Sequence, residues 1–368
     1  MESNGNFKPG TKLCLRSWTD RNTWRDRIYE VERLLASGGQ ADTYVVHPLE
    51  GGESLCMKHL YGNFASNKAT YYQKVLLMAK YPSPSPHLAW PLAVSPNPSS
   101  SGSFCYCMPL FQGYDDTSRI ISFLKRYNST LNHPGAEPND PYYVPPRNPR
   151  DPNDPAAMTV RQRAELLCRT AEIMEAVHVT GSGRPGYVYG DLSGKNVLYK
   201  VQPDGHVDVK LIDVDNLIPA GQSARHPKGF TLGLVGTGQY PAPEILSGAS
   251  VPTIHGDLHS LGVLAFRVLH GSHPLDGLRT HTMEWNNDNV VRFFGEQATF
   301  TITDPHNAAS APVLAHWDQL PQVVQVYFKL LFSPQVLHSP VPAPGGREPR
   351  PSAETLRLCL VKGYRLTA

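Results

Sequence analysis

The chain is 368 residues long, with 18% charged residues and a formal net charge of +2 at pH 7. This length suffices for one large domain or two lobes with a sizeable core. The near-neutral balance, without a long run of Lys and Arg, argues against a nucleic-acid-binding surface. The polar N-terminus has no apolar signal core, and no stretch approaches the about 18 apolar residues of a membrane helix. We therefore expect a cytoplasmic protein without membrane contacts.

Six cysteines are scattered along the chain. Cys105 and Cys107 lack the two-residue gap of a zinc knuckle, and no His pair at ligand spacing lies nearby. We expect most of the cysteines to be buried, reduced thiols.

The first third of the chain predicts a sheet with one helix. Residues 1–27 are polar, and we expect them to be irregular. Ala69, Tyr72 and Val75 have helical spacing, and prolines follow residue 81. Alternating apolar residues predict five strands, at 29–35, 43–46, 54–58, 89–94 and 103–108, with the helix at 67–80.

The rest of the chain predicts mainly helices. Residues 112–125 and the amphipathic stretch 159–178 have helical spacing, as does most of the chain after residue 250. Residues 128–157 are rich in Pro, Asn and Asp, which predicts a long surface insertion. The insertion is either a loop without a function of its own or a docking site for a partner.

A set of polar groups typical of phosphoryl transfer follows. Asp191 is followed five residues later by Asn196, and Asp213 comes after an apolar run. A hairpin of strands 197–201 and 207–212 would bring Asn196 and Asp213 side by side. Transfer from ATP needs one carboxylate for the attacking hydroxyl, and an amide and a second carboxylate for magnesium. Each residue alone could instead be a turn or capping residue.

A glycine-containing turn precedes this set. Residues 35–44 read Leu-Ala-Ser-Gly-Gly-Gln-Ala-Asp-Thr-Tyr, and small residues let backbone N–H groups approach phosphate oxygens. The alternative is a plain hairpin turn. Lys58 ends an apolar strand, which indicates an anionic partner; its alternative is a strand-end lysine in water.

Three later segments complete a resemblance. Residues 236–244 read Gly-Thr-Gly-Gln-Tyr-Pro-Ala-Pro-Glu, residues 257–262 read Asp-Leu-His-Ser-Leu-Gly, and Arg350 follows. With them the chain resembles the protein kinase superfamily over about residues 28–362. Its Tyr-Gly-Asp and Asp-Val-Asp variants are similar to bacterial eukaryotic-like Ser/Thr kinases, including those associated with tellurium-resistance operons.

The resemblance implies an α+β fold and a division of the chain. The fold would be bilobal and protein-kinase-like, with a five-stranded antiparallel N-lobe sheet carrying one helix and a mainly α-helical C-lobe. The implied domains are an N-terminal extension (1–27), the N-lobe (28–110) and the C-lobe (111–368) with its 128–157 insertion. Arg350 would pair with Glu244 as a buried structural ion pair.

The resemblance also implies site residues, with ATP and Mg²⁺ as cofactors. Asp191 would be the catalytic base, and Lys195 would stabilise the transferred phosphoryl group. Asn196 and Asp213 would bind Mg²⁺. Lys58 would contact the α- and β-phosphates of ATP. The other nucleotide contacts would be the phosphate-covering backbone of Ala36, Ser37, Gly38, Gly39, Gln40 and Ala41, the gatekeeper Met108, and the hinge of Pro109, Leu110 and Phe111.

Departures from the family pattern concern the groups that support these residues. Residues 61–80 contain no Asp or Glu, so the helix acid that pairs with Lys58 is missing. Tyr72 or Gln73 lies at about its place, and Asp213 is the alternative partner. Asp215 replaces a family glycine, and we expect it to be solvated or to cap a turn rather than to contact a metal. Tyr189 and Gly190 replace the His-Arg before the base, which predicts activity independent of activation-loop phosphorylation.

Three functions compete. The leading one is a Mg-ATP-dependent protein kinase directed at Ser/Thr hydroxyls of protein substrates, with docking through residues 1–27 or 128–157. The missing helix acid favours a pseudokinase that serves as a nucleotide-binding interaction module. A small-molecule kinase shares Asp191, Asn196 and Asp213, but the segment that ends in Glu244 argues against it.

Overall fold

The computed structural model describes residues 7–20, 22–39, 41–61, 68–99, 102–131, 143–145, 147–179, 186–219, 239–338 and 350–367. Within these ranges, no helix is long and apolar enough to cross a membrane. The chain divides into two compact units. Unit 1 comprises Met1–Gln112 and Asp213–Asp215, and unit 2 comprises Gly113–Ile212 and Asn216–Ala368.

Unit 1 is an antiparallel β-barrel with one helix. The strands are ordered β1-β2-β3-β4-β6-β5, and β5 closes the barrel by pairing with β1. The elements are β1 (Lys12–Trp18), β2 (Trp24–Ser37), β3 (Ala41–Pro48), β4 (Leu55–Leu60), α1 (Lys68–Lys80), β5 (Ala93–Val94) and β6 (Phe104–Pro109).

The barrel has a sixth strand that the sequence analysis did not predict. Residues 12–18 were expected to be irregular, but they form β1 and pair with Trp24–Glu30 of β2. The reason is their side-chain pattern, since Leu15 is buried in the barrel core and Leu13 packs against that core. The prediction of a five-stranded sheet is therefore wrong by one strand.

The core of unit 1 is filled from every strand. Tyr44 and Val46 of β3 and Met57 of β4 are fully buried. Helix α1 is attached through Tyr72, whose hydroxyl lies 2.8 Å from the carbonyl oxygens of Ser95 and Pro96. Trp90 Nε1 donates to the carbonyl of Met78 at 2.9 Å, and so fixes the C-terminal end of the same helix.

Unit 2 is mainly helical, with short strands near its candidate site. Its strands are β7 (Asp115–Asp116), β8 (Tyr187–Val188), β9 (Val197–Val201), β10 (Val207–Leu211) and β11 (Ile218–Pro219). Its helices are α2 (Ser118–Thr130), α3 (Val160–His178), α4 (Pro243–Leu246), α5 (Ile254–His270), α6 (Leu278–His281), α7 (Asn287–Val290), α8 (Ala311–Asp318), α9 (Gln322–Leu331), α10 (Pro334–Leu337) and α11 (Ala353–Tyr364). A π-helical turn (Val291–Glu296) and a 3₁₀ turn (Pro305–Asn307) lie between α7 and α8.

Helices α3 and α5 form the core of unit 2, and their ends follow local rules. Thr159 caps α3 with a capping box that includes Gln162. Helix α5 ends at Gly271, whose φ of 70° favours glycine. Inside α5, a Cβ on Gly262 would lie 1.9 Å from a methyl group of Leu331 of α9, so a larger residue there would force Leu331 to move.

The 128–157 insertion is partly a structural element. Its first three residues belong to α2, and residues 132–142 and 146 lie outside the described ranges. Asn153 is buried, donates its side-chain amide to the Gly113 carbonyl (3.0 Å), and accepts from the Val201 backbone at 2.9 Å. Its carbonyl also accepts from the Tyr199 hydroxyl at 2.8 Å. The prediction of a surface insertion is therefore wrong for Asn153 and its neighbours, which anchor strand β9.

All six cysteines are free thiols, as expected, and four of them are buried. Burial raises the pKa of Cys56 to about 11 and that of Cys105 to about 12. These thiols are therefore poor nucleophiles at neutral pH.

Candidate active site

The glycine-containing turn joins β2 to β3 in unit 1. Gly38 N donates to the Ala41 carbonyl at 3.0 Å and closes the turn. The Tyr61 hydroxyl lies 2.8 Å from both the Gly38 carbonyl and Asp42 Oδ1. Ala36, Ser37, Gly38, Gly39 and Ala41 thus lie together at one end of the barrel, whereas Gln40 lies outside the described residues. Sequence reasoning missed Tyr61, which follows β4 and gave no motif signal.

Lys58 lies on β4, between Thr43 of β3 and Tyr106 of β6. Its Nζ donates to Asp213 Oδ1 at 3.0 Å and lies 3.2 and 3.1 Å from the two carboxylate oxygens of Asp215. Burial alone would lower the pKa of Lys58, but Asp215 and Asp213 outweigh it and hold the pKa above its usual value. Lys58 is therefore a buried cation with two carboxylate partners. The alternative of a strand-end lysine in water is wrong.

Asp215 is a buried ion-pair partner. Only 1% of its surface is exposed, so the expectation of a solvated or capping acid is wrong. Burial would raise its pKa, but Lys58 and the Tyr71 hydroxyl lower it below the usual value. The carboxylate is therefore ionised at neutral pH.

Helix α1 contributes Tyr71 in place of an acid. The Tyr71 hydroxyl donates to Asp215 Oδ2, and Lys74 Nζ lies 4.6 Å from the centre of the Tyr71 ring. Burial lowers the pKa of Lys74 to about 8, against the opposing effect of Asp215. Gln73 is exposed and Tyr72 bonds elsewhere, so neither replaces the missing acid. The expectation that Asp213 pairs with Lys58 is confirmed.

The backbone of Asp213 is unusual. Its φ is 56°, in the left-handed region that non-glycine residues rarely adopt, although Asp is among those that tolerate it. Such a conformation costs on the order of 1 kcal/mol or more and persists only where other contacts hold it. The Lys58 contact is one of them. The Asp213 side chain remains 39% exposed, so its second oxygen can accept a further ligand.

The end of β6 holds the predicted gatekeeper. Met108 pairs with Cys56 and is buried, and Pro109 pairs with Leu55. Leu110 and Phe111 follow the strand and are partly exposed. Pro109 has no N–H, so a ligand at this edge must bond neighbouring backbone groups.

In unit 2, Asp257 of α5 holds the segment before Asp191. Asp257 accepts from Tyr189 N at 2.6 Å and from Gly190 N at 2.8 Å, and lies 3.1 Å from His178 Nε2. Gly190 has a φ of 78°, which suits glycine better than the arginine of the family pattern. The Tyr189 hydroxyl donates to the Ile212 carbonyl, which fixes the other side of the loop.

Asp191 and Asn196 lie together on this loop. Asn196 Nδ2 donates to the Asp191 carbonyl at 2.7 Å and lies 3.4 Å from Asp191 Oδ2. Ile212 N donates to the Asn196 carbonyl at 3.0 Å, which joins the two ends of the predicted hairpin. Lys195 is exposed, whereas Ser193 is buried.

The segment that ends in Glu244 is anchored in unit 2. Arg350 Nη1 and Nη2 donate to Glu244 Oε1 and Oε2 at 2.6 and 2.8 Å, so the expected ion pair is confirmed. Ser260 donates to the Tyr240 carbonyl at 2.9 Å, and the Arg267 guanidinium lies 4.9 Å from the centre of the Tyr240 ring. Residues 236–238 of the same segment lie outside the described ranges.

The candidate metal ligands, Asn196 and Asp213, supply oxygen atoms. Within the described ranges, no group of three or more His, Cys, Asp or Glu side chains could hold a metal. Magnesium does not need such a group, because it is usually bound through one or two carboxylates together with substrate phosphates and water. Asn196 in unit 2 and Asp213 in unit 1 each carry the kind of oxygen donor that magnesium binds.

Part of the chain matches a known protein family. Residues 154–326 match the family model of the protein kinase domain. The match covers 173 of the 368 residues, and over that segment the chain is similar to the protein kinase superfamily. This kinase match includes Asp191, Asn196, Asp213 and Glu244 but not Lys58, which lies in the preceding part of the chain.

Curated relatives of the kinase domain include three proteins. A probable serine/threonine-protein kinase of Bifidobacterium longum is 29% identical over 124 residues, 34% of this chain and 15% of the relative. A serine/threonine-protein kinase of Myxococcus xanthus is 34% identical over 126 residues, 33% of this chain and 14% of the relative. A receptor kinase-like protein of Oryza sativa is 27% identical over 126 residues, 34% of this chain and 12% of the relative. The chain thus spans no more than 15% of the length of these relatives.

Proposed function

We propose that this chain is a Mg-ATP-dependent protein kinase that transfers the γ-phosphate to a Ser or Thr hydroxyl. The observation that carries the proposal is the Asp191–Asn196 loop held by Asp257, at 2.6 and 2.8 Å from two backbone N–H groups. A loop fixed in this way keeps a catalytic carboxylate in place before the substrate arrives. Two Ser/Thr kinases among the relatives support the choice of hydroxyl.

The proposal assigns a role to each residue of the site. Asp191 orients the attacking hydroxyl and takes its proton as the new oxygen–phosphorus bond forms and the bond to the leaving ADP oxygen breaks. Magnesium, when bound with ATP, neutralises the phosphates. Asn196 and Asp213 would hold it, and Lys58 and Lys195 would place positive charge beside the phosphates.

Other nucleotide contacts are proposed from the arrangement of unit 1. The backbone of Ala36, Ser37, Gly38, Gly39, Gln40 and Ala41 would cover the phosphates, and Met108, Pro109, Leu110 and Phe111 would contact adenine. Substrates are proteins of unknown identity. Docking through residues 1–27 or 128–157, a cytoplasmic location, and the link to tellurium-resistance operons stay predictions.

The two alternatives have less support. The pseudokinase interpretation depended on the missing helix acid, but Lys58 has carboxylate partners at 3.0 and 3.1 Å. A small-molecule kinase would not need a segment anchored by the Glu244–Arg350 pair. Neither alternative explains the set of fixed polar groups as well as a protein kinase does.

Autophosphorylation tests the proposal. The unmodified chain, Asp191→Ala and the matched control Asp288→Ala are incubated with labelled ATP and magnesium, and phosphosites are mapped by mass spectrometry. Asp288 is exposed on the short helix α7. We expect transfer to Ser or Thr by the unmodified chain and the control, and a loss of at least about a hundredfold in Asp191→Ala. No transfer by the unmodified chain with any divalent cation, or equal transfer by Asp191→Ala, would refute the proposal.

A further inference from the structure

We infer that Asp215, held by Tyr71, is the positioning residue that keeps Lys58 in place, a task that helix α1 does not perform with an acid. The inference rests on the proposed function, because it concerns how Lys58 meets the phosphates. Asp215 acts through Lys58 and is not itself a catalytic residue.

The contacts of the two carboxylates differ. Asp213 offers one oxygen to Lys58 and is 39% exposed. Asp215 offers both oxygens to Lys58, at 3.2 and 3.1 Å, and is 1% exposed. A carboxylate with two contacts in a buried site restricts the ammonium group more than a half-exposed one with a single contact.

Asp213 has a second task in the proposed function, and Asp215 does not. If Asp213 also serves the metal, its interaction with Lys58 competes with that task. Lys58 is 14% exposed, and leaving a buried ammonium group without any anionic partner would cost much free energy. Asp215 removes this conflict, because Lys58 keeps a carboxylate partner whatever Asp213 binds.

Tyr71 completes the arrangement from α1. Its hydroxyl donates to Asp215 Oδ2, which also accepts from Lys58. The helix thus contributes a neutral hydrogen bond to the carboxylate rather than the carboxylate itself. Asp215 is two residues from Asp213 in sequence, so the two partners of Lys58 are on one short segment, 213–215. A displacement of α1 would remove a hydrogen bond but leave the ion pair.

The test measures how strongly the binding of nucleotide depends on the concentration of magnesium. Without Asp215, Lys58 relies on Asp213 alone and competes with the metal for it. The measured quantity is the magnesium concentration at which half of its effect on the affinity for a fluorescent, non-hydrolysable ATP analogue is reached. We expect Asp215→Asn to raise this concentration by about tenfold or more, which corresponds to the loss of one charged hydrogen bond. Its kcat/KM for ATP should fall by about 10- to 100-fold. Tyr71→Phe should shift both quantities in the same direction by about two- to tenfold.

Two further variants separate positioning from a general structural role. In a Lys58→Met background the magnesium shift caused by Asp215→Asn should disappear, because no ammonium is left to compete for Asp213. Asp215→Gly should lower kcat/KM for ATP. Adding Tyr71→Glu to Asp215→Gly moves the acid to α1, and kcat/KM of this double variant should be at least about tenfold higher than that of Asp215→Gly alone. The exposed Gln73→Ala serves as the matched control on the same helix and should behave as the unmodified chain.

Several outcomes decide the inference. A magnesium requirement in Asp215→Asn within about twofold of the unmodified chain would overturn it, as would an equal shift in the Lys58→Met background. If Asp215→Asn does not fold, Tyr71→Phe and the Asp215→Gly/Tyr71→Glu pair give the answer. A chain that binds nucleotide with magnesium but transfers no phosphate refutes the proposed function only, and the magnesium measurement still decides the role of Asp215. A chain that binds no nucleotide overturns both.

Discussion

Replacing Arg350 by Met should destabilise unit 2 strongly. Both ends of the guanidinium bind Glu244, at 2.6 and 2.8 Å, and Nη1 also donates to the His255 carbonyl at 3.0 Å. The side chains of Arg350 and Glu244 are only 2% and 6% exposed. Removing the arginine leaves the carboxyl group of Glu244 buried without its partner, which costs about 3–5 kcal/mol.

The double variant Glu244→Met/Arg350→Met isolates the cause. Replacing a buried ion pair by apolar side chains of similar volume is often neutral. We therefore expect the double variant to be at least about 2 kcal/mol more stable than Arg350→Met alone.

The assay is equilibrium unfolding in urea, followed by circular dichroism and tryptophan fluorescence. Arg169→Met is the matched control, because Arg169 pairs with Glu172 at 3.0 Å on the surface of α3, and losing such a pair costs about 0–1 kcal/mol. A cost below about 1 kcal/mol for Arg350→Met would refute the reasoning, as would strictly additive effects of the two substitutions.

Two further predictions concern unit 2. Gly271→Ala should lower the free energy of unfolding by more than about 1 kcal/mol, because φ is 70° and the new Cβ would lie 2.6 Å from Leu124; a neutral result in urea unfolding would contradict this. Burial lowers the pKa of His270 to about 3, and His316 and Arg163 add to this effect. Below pH about 6.5 the unfolded chain binds a proton that folded His270 does not, so stability should fall with decreasing pH by about 1.4 kcal/mol per unit towards pH 3. His270→Leu should remove the contribution of one proton, about 1.4 kcal/mol per pH unit, from the slope of stability against pH. An unchanged slope in urea titrations between pH 4 and 7 would contradict the assignment.

The local pattern of the sequence was sufficient for several elements. The hairpin of β9 and β10 matches its predicted strands to within one residue, because alternating apolar residues flank a Pro-Asp-Gly turn. Helix α3 begins one residue after its predicted start, where Thr159 supplies a cap. The Glu244–Arg350 pair followed from the family resemblance rather than from the pattern.

The partners of Lys58 could not be fully predicted. Asp215 is 157 residues away along the chain, and acids are mostly exposed, so nothing local marks it as buried. Tyr71 has no motif signal, because a tyrosine on an amphipathic helix is usually a packing residue. Likewise, the composition around Asn153 predicted a loop but could not indicate that its amide is buried against β9. These contacts depend on which side chains the tertiary fold brings together.

Strand β1 also affects how unit 1 meets other molecules. Its seven residue pairs with β2, together with the two that close the barrel at β5, use backbone groups that would otherwise form an open sheet edge. Open edges recruit strands from other chains and promote aggregation. A fragment that begins after Trp18 would leave Trp24–Glu30 as such an edge. Strand β1 thus covers a sheet edge against pairing with other chains, although it contributes no residue to the candidate active site.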